Sequence, residues 1–242
     1  MANSQEDSFT GAWNNIGDVF MKLSEKIILK IKQIAYFIAY GPKATNDKYV
    51  AHLRDIGILI GEKTHFYDPK SCWVDETRPW LIEIGENVQI PANVTILTHG
   101  YDISVIHDKY KYACGSSGKV KIGNNVFIGT GTIILKGVTI GNNVVIAAGS
   151  VVNKDIPDDC VAAGNPAKPI MPIEKYFEKR KNAQLSEAKE LALAYYERTG
   201  KKPDRFVMRE HIFLFSKDGC RENNDEPMFK DIDEFCKYCG IE

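Results

Sequence analysis

One hydrophobic mark recurs every six residues through the middle of the chain. Ile122, Ile128, Ile134, Ile140, Ile146 and Val152 stand six apart without a slip in IGNNVFIGTGTIILKGVTIGNNVVIAAGSVVNKDIP. Four residues after each comes a small or β-branched one: Val126, Thr132, Val138, Val144, Ser150 and Ile156. A period of six is neither the 2 of a strand nor the 3.6 of a helix. It is the period of hexapeptide tracts, in which three short strands make one triangular turn of a parallel β-helix. The aliphatic residues then point inward, and residues one full turn apart stack at the ~4.8 Å spacing of paired strands. The pattern predicts Ile122 on Ile140, Ile128 on Ile146 and Ile134 on Val152. Bends are expected at GNN, GTG and GNN, where Gly and Asn accept positive φ.

The same phase runs upstream through IGENVQ, IPANVT and ILTHGY, from Ile84, Ile90 and Ile96, with a weaker trace at IGEKTH from Ile60. From Ile96 to Ile122 is 26 residues, not a multiple of six, so part of HGYDISVIHDKYKYACGSSGKV must leave the repeat as an external loop. DETRPW, between Ile60 and Ile84, reads as a second excursion. The repeat ends in NKDIPDDCVAAGNPAKPIMP, whose four prolines stop further strand pairing. Residues 173–199, rich in Glu, Lys, Ala and Leu and followed by Gly200, predict an exposed helix that covers the open end of the repeat. In the tail, RFVMREHIFLFS predicts a further helix packing Phe206, Met208, Ile212, Phe213 and Phe215.

At the other end of the chain, Phe20, Leu23, Ile27, Ile31, Ile34 and Ile38 make one face of an amphipathic helix. That face either packs on the rest of the protein or makes peripheral contact with a membrane surface. Lys30 and Lys32 interrupt its apolar run, which makes it a poor spanning segment. The expected organisation is an N-terminal amphipathic helical segment over 1–45, the repeat domain over 46–172 with an external loop near 100–119, and a C-terminal helical extension over 173–242.

Composition narrows this picture. The 242 residues, 44% hydrophobic and 26% charged, suffice for one substantial core with appendages. A net charge of −1 gives no general attraction to nucleic acid or to an anionic membrane. The N-terminal MANSQEDSFTGAWNN lacks the basic-then-apolar layout of a secretory signal, so a cytoplasmic protein is expected, at the inner face of the membrane if the N-terminal helix docks there. The six cysteines are then expected as free thiols. Cys236 and Cys239 have the spacing of metal ligands, but a lone pair of this kind does not define a site.

The tract from IGNNVFIG to NPAKPI, together with TRPWLIEIGENV and ILTHGYD, resembles the hexapeptide-repeat acyltransferases over roughly residues 50–172. It is most similar to the maltose and galactoside acetyltransferase group and to O-acetyltransferases of capsule and exopolysaccharide loci. The resemblance implies a mainly β fold: a left-handed parallel β-helix, or hexapeptide-repeat solenoid, with N-terminal and C-terminal helical extensions. The handedness comes from the resemblance alone, since parallel crossovers are otherwise right-handed. The resemblance further implies a homotrimer with active sites between subunits. It implies transfer of an acetyl group from acetyl-CoA to a sugar or polysaccharide hydroxyl, with no metal and no covalent enzyme intermediate.

Acyl transfer to an alcohol needs a base. Among five histidines, His99 stands where the strand VTIL ends and the external loop begins, and the family's catalytic histidine lies at the matching place. Its ring needs a partner that fixes the tautomer. Asp102, three residues on, and Asp75, in the preceding excursion, both qualify. His107 and Asp108, further out in the loop, suit contact with a neighbour or with the acceptor. Matching the family residue by residue puts Thr130, Ala148, Asn153, Lys154 and Lys168 at coenzyme-contacting positions, the two lysines as cations near the phosphates. Lys168 and Met171 stand where the family often carries arginines, so bidentate phosphate contacts are lost there.

Other readings start from the same residues. The acceptor could be an amino sugar, serine or an antibiotic, by N- or O-acetylation. A zinc enzyme on this fold needs three converging histidines, whereas His99 and His107 are eight apart in an irregular loop. A non-catalytic scaffold gives no reason for a histidine at the strand–loop junction together with lysines at the coenzyme end.

Overall fold

A computed structural model describes residues 27–28, 30–32, 34–36, 38–216 and 226–241. They form two compact units, one ending at Ile173 and the other beginning at Glu174. In the first unit a helix, α1 (Asn46–Asp55), leads into three sheets of parallel strands. β1 (Leu59–Ile60), β4 (Ile82–Ile84), β7 (Val120–Ile122) and β10 (Thr139–Ile140) make the first sheet. β2 (His65–Phe66), β5 (Val88–Ile90), β8 (Val126–Ile128) and β11 (Val144–Ile146) lie in the second. β3 (Trp73–Val74), β6 (Thr95–Ile96), β9 (Ile133–Ile134) and β12 (Val151–Val152) make the third. The chain therefore visits the three sheets in rotation, three strands to a circuit. β13 (Cys160–Gly164) extends the second sheet in parallel beyond β11, and β14 (Ala167–Pro172) turns back on it antiparallel.

The six-residue mark dictates this register. Ile122 pairs with Ile140, Ile128 with Ile146 and Ile134 with Val152, as the spacing predicts. All six are at most 1% exposed, and the intervening Val126, Thr132, Val138, Val144, Ser150 and Ile156 are buried beside them. Ile60 pairs with Ile84, and Ile84 with Ile122. The longer sequence separations of those pairs are taken up by the two excursions. The larger excursion carries an exposed helix, α2 (Ile103–Tyr110).

The corner between the first and second sheets is a ladder of side-chain amides. Asn87, Asn125, Asn143 and Asp159 hold φ at 52°, 56°, 55° and 55°, a region Asn and Asp enter more readily than most side chains. Asn87 Nδ2 donates to Asn125 Oδ1 at 2.9 Å, Asn125 Nδ2 to Asn143 Oδ1 at 2.9 Å, and Asn143 Nδ2 to Asp159 Oδ1 at 2.8 Å. Asn125→Ala removes two of these bonds and leaves an alanine in the left-handed region without a polar side chain to offset the strain. A loss of about 2 kcal/mol is expected, read as a lower denaturation midpoint with unchanged slope. A change of only a few tenths would show the ladder to be decorative.

α1 lies inside the range expected to be repeat, and the six-residue pattern gives no sign of it. Thr45 caps it by accepting from the Lys48 amide, and Gly57 at φ 105° follows its end. Tyr49, Val50 and Leu53 are buried on its inner face and join the core with Ile58 and Phe66. Tyr49 meets Phe66 edge-on at 5.1 Å. The first circuit is thereby covered by a helix, as a repeat with open strand edges requires.

Upstream, the described residues between 27 and 40 are helical. Their isoleucine stripe does not pack on the protein: Ile27, Ile31, Ile34 and Ile38 are 51%, 59%, 60% and 78% exposed. Phe20 and Leu23 of the expected face lie outside the described residues.

The second unit is held by its own core. α3 (Ile173–Thr199) ends at Gly200, whose φ is 66°, and contributes Ala188 and Ala192 to a cluster with Met208, Leu214, Phe215 and Phe235. The helix expected over RFVMREHIFLFS, residues 205–216, is instead a short 3-10 turn, Arg209–Leu214, distorted at His211. Asp204 explains the late start, since its side chain accepts from the Phe206 and Val207 amides and holds a turn there. Met208 and Phe215 are buried as expected, but Phe206 is 73% exposed. Cys236 and Cys239 are buried in α4 (Ile232–Cys239), and burial pushes both thiols up. Among the described residues no helix is long and apolar enough to cross a membrane.

Candidate active site

Neighbouring circuits bring Asp75 and His99 together. Val74 of β3 lies opposite Ile96 of β6, so the residues that follow each strand leave the third sheet side by side. The Asp75 amide donates to Ile96 O at 3.0 Å, which fixes where its side chain starts. The carboxylate is buried, with Oδ2 2.5 Å from His99 Nδ1. Oδ2 also accepts from the Thr98 amide at 3.3 Å and from the Thr98 hydroxyl. Oδ1 accepts from the Thr77 hydroxyl at 2.6 Å and from the Thr77 amide at 3.1 Å. Burial alone would push this carboxyl up. The hydrogen bonds from Thr77, Thr98 and His99 outweigh it and hold the group well below the usual carboxylate range.

An ionised Asp75 can only accept, so the neutral imidazole donates through Nδ1 and leaves Nε2 with its lone pair. Nε2 makes no hydrogen bond among the described residues, and the ring is 14% exposed at the side chain. Tyr101 packs edge-on against it at 5.0 Å. The neck of the external loop holds this geometry: Thr98 O accepts from the Gly118 amide at 2.8 Å, and His99 bridges Ser117 in antiparallel sense. Of the two orienting carboxylates expected from the sequence, the structure brings Asp75 to His99. Asp102 is exposed just ahead of α2 and makes no bond to the ring. His107 and Asp108 are exposed on α2, where Asp108 pairs with Lys111 at 3.1 Å.

Sequence reasoning misses the residues that hold Asp75. Thr77, two residues on, forms a local turn of a kind that Asp-x-Thr favours, and this signal lies in the sequence. Thr98 reaches Asp75 only because β3 and β6 are neighbours. A second clamp lies on the next residue. Glu76 Oε2 is 3.0 Å from His52 Nε2, and Glu76 Oε1 accepts from the Tyr49 hydroxyl at 3.4 Å. Both partners sit on α1, so the cap helix ties down the excursion that carries Asp75.

The residues matched to coenzyme contacts divide between two corners. Thr130 and Ala148 follow β8 and β11, where the second sheet turns into the third, and Thr130 O accepts from the Gly149 amide at 2.8 Å. Gly129 permits this stacking, because a Cβ there would come 2.3 Å from the Ala148 amide nitrogen. Lys168 lies on β14 opposite Ala163, one strand beyond the same edge. Asn153 and Lys154 follow β12, at the other edge of the third sheet, the edge from which His99 departs after β6. All five are exposed. Ala148 and Lys154 are six residues apart, so the two corners are separated by at most ~20 Å of extended chain. One chain therefore places the dyad and the Thr130–Ala148–Lys168 corner on opposite edges of a sheet.

Known proteins share this sequence pattern. Residues 119–154 match the family described as bacterial transferase hexapeptide (six repeats). Protein CapG of Staphylococcus aureus is 46% identical over 125 residues, covering 51% of this chain and 71% of that protein. A putative acetyltransferase, YvoF, of Bacillus subtilis strain 168 is 42% identical over 165 residues, covering 68% of this chain and 86% of that one. The galactoside O-acetyltransferase of Escherichia coli K12 is 46% identical over 94 residues, covering 39% of this chain and 45% of the enzyme.

Proposed function

The chain belongs to the bacterial transferase hexapeptide family and is an acyltransferase, and from that premise we propose that it moves the acetyl group of acetyl-CoA to a hydroxyl of a sugar or polysaccharide, with His99 as general base. The observation that carries this reading is the buried Asp75 carboxylate on His99 Nδ1, which leaves Nε2 as the acceptor of a proton. Nε2 takes the proton of the acceptor hydroxyl as its oxygen attacks the thioester carbonyl carbon. The tetrahedral intermediate collapses with cleavage of the carbon–sulfur bond. The CoA thiolate leaves and takes the proton back from the imidazolium, so His99 ends the cycle neutral. Asp75 stays ionised throughout and stabilises the imidazolium.

On this reading the three-sheet rotation is the left-handed β-helix of the family, and the working form is a homotrimer. The division of residues between two corners supports the second point. A cleft between copies would set the His99 edge of one against the Thr130–Ala148–Lys168 edge of the next, which a single chain does not do. A sugar acceptor draws support from the galactoside O-acetyltransferase likeness.

The test is a calorimetric titration of the whole chain with acetyl-CoA. Saturable binding is expected, weakened about three- to tenfold by Lys168→Ala through loss of one exposed phosphate contact. No saturable binding at millimolar coenzyme would overturn the proposal.

A further inference from the structure

We propose that the isoleucine stripe of the N-terminal helical segment seats on an anionic lipid surface. At about 100° per residue, Ile27, Ile31, Ile34 and Ile38 fall within about 60° of one another, while Tyr36 and Tyr40 fall on the opposite side. The tyrosine side is the one that meets the protein. Lys70 Nζ donates to the Tyr36 hydroxyl at 3.2 Å and lies 5.7 Å and 5.9 Å from the Tyr36 and Tyr40 ring centres. The segment is thus held by its back, with its apolar stripe turned to the outside and each of the four isoleucines more than half exposed. A contiguous apolar face of this kind marks a surface that another phase or molecule covers.

Charge selects the occupant. Residues 20–40, which span the amphipathic face, contain four lysines against one carboxylate, Glu25, and Lys30 and Lys32 are exposed on the segment itself. A second copy laid on the stripe would set four lysines against four, with a single glutamate on each side to pair them. An anionic headgroup layer accepts the isoleucines together with Lys30, which borders the stripe, whereas Lys32 falls within about 40° of Tyr36 on the side that meets the protein. The circuit to which the segment is tied adds a second observation. Tyr67 and Trp73 on it, and Trp80 in the excursion that follows it, are 63%, 64% and 70% exposed, and Tyr and Trp are the residues enriched at headgroup level. β3 of that circuit leads into Asp75, so seating would bring the dyad near an acceptor carried on the membrane. The seating itself does not rest on the acetyl-transfer reading and is tested without it.

The test is co-sedimentation of the full chain with vesicles of phosphatidylglycerol and phosphatidylcholine, against phosphatidylcholine alone. The wild-type chain is expected to pellet with the anionic vesicles and to be released by salt. Ile31→Glu/Ile34→Glu and Lys30→Glu, all at exposed positions, are each expected to weaken the binding about tenfold or more. A wild-type chain that stays in the supernatant, or an isoleucine variant that pellets like the wild type, would overturn the proposal. So would a fall in the sedimentation-velocity mass of Ile31→Glu/Ile34→Glu without vesicles, which would assign the stripe to a second copy.

Discussion

Turnover of His99→Ala is expected to fall about 10²–10⁴-fold, with acetyl-CoA titration unchanged. The two readouts separate because His99 is not among the positions matched to coenzyme contacts. Of those positions, Thr130, Ala148 and Lys168 lie across the third sheet of the same chain from the His99 edge, and Asn153 and Lys154 lie at that edge. Alanine removes Nε2 and with it the base of the proposed step. It leaves the neck closed, since the Gly118 amide bonds to Thr98 O and not to the ring. Release of CoA thiol with the best acceptor from a panel of sugars measures the first quantity, and calorimetry the second. A variant within about tenfold of wild-type turnover would remove His99 from the chemistry. A variant that also fails to bind coenzyme would show that His99 shapes the cleft instead.

The regular part of the fold is open to reading because it has one cause. A branched aliphatic every sixth residue must be buried, and only an eighteen-residue circuit buries all of them in register, as Ile128 over Ile146 does. The same periodicity locates His99, because the loop has to begin where the phase breaks. It does not choose between Asp75 and Asp102. That choice depends on which strand lies beside β6, and the excursion before Ile84 obscures the count. α1 escapes the pattern for a related reason: Tyr49, Val50 and Leu53 cover too few turns to stand out beside a strong six-residue signal. The N-terminal stripe is visible as a pattern, but whether it faces inward is settled by the Lys70 contact to Tyr36, a tertiary pairing without a local trace.

Asp75→Asn is the second large effect, and it should strike activity and stability together. Asn keeps the size of the carboxylate but replaces one acceptor oxygen with an NH₂ donor. Turned toward His99, the NH₂ faces the Thr98 donors and forces Nδ1 to accept, which puts the ring proton on Nε2 and removes the base. Turned the other way, it meets the Thr77 hydroxyl and amide, with which Asp75 Oδ1 now bonds. In the first orientation a fall of about 10³–10⁴-fold is expected, the size seen when a catalytic histidine is held in the wrong tautomer. In either orientation a buried donor is left facing donors, which costs about 2–4 kcal/mol of stability. The sign with pH follows from the depressed carboxyl. A group lower in the folded than in the unfolded chain contributes fully above its unfolded value of about 3.9, and the contribution is lost as the pH falls through the folded value. The gap in stability between the wild type and Asp75→Asn should therefore not close between neutral pH and about pH 5, and should close only in stronger acid. A gap that closes between neutrality and pH 5 would mean that Asp75 is not held ionised by Thr77, Thr98 and His99.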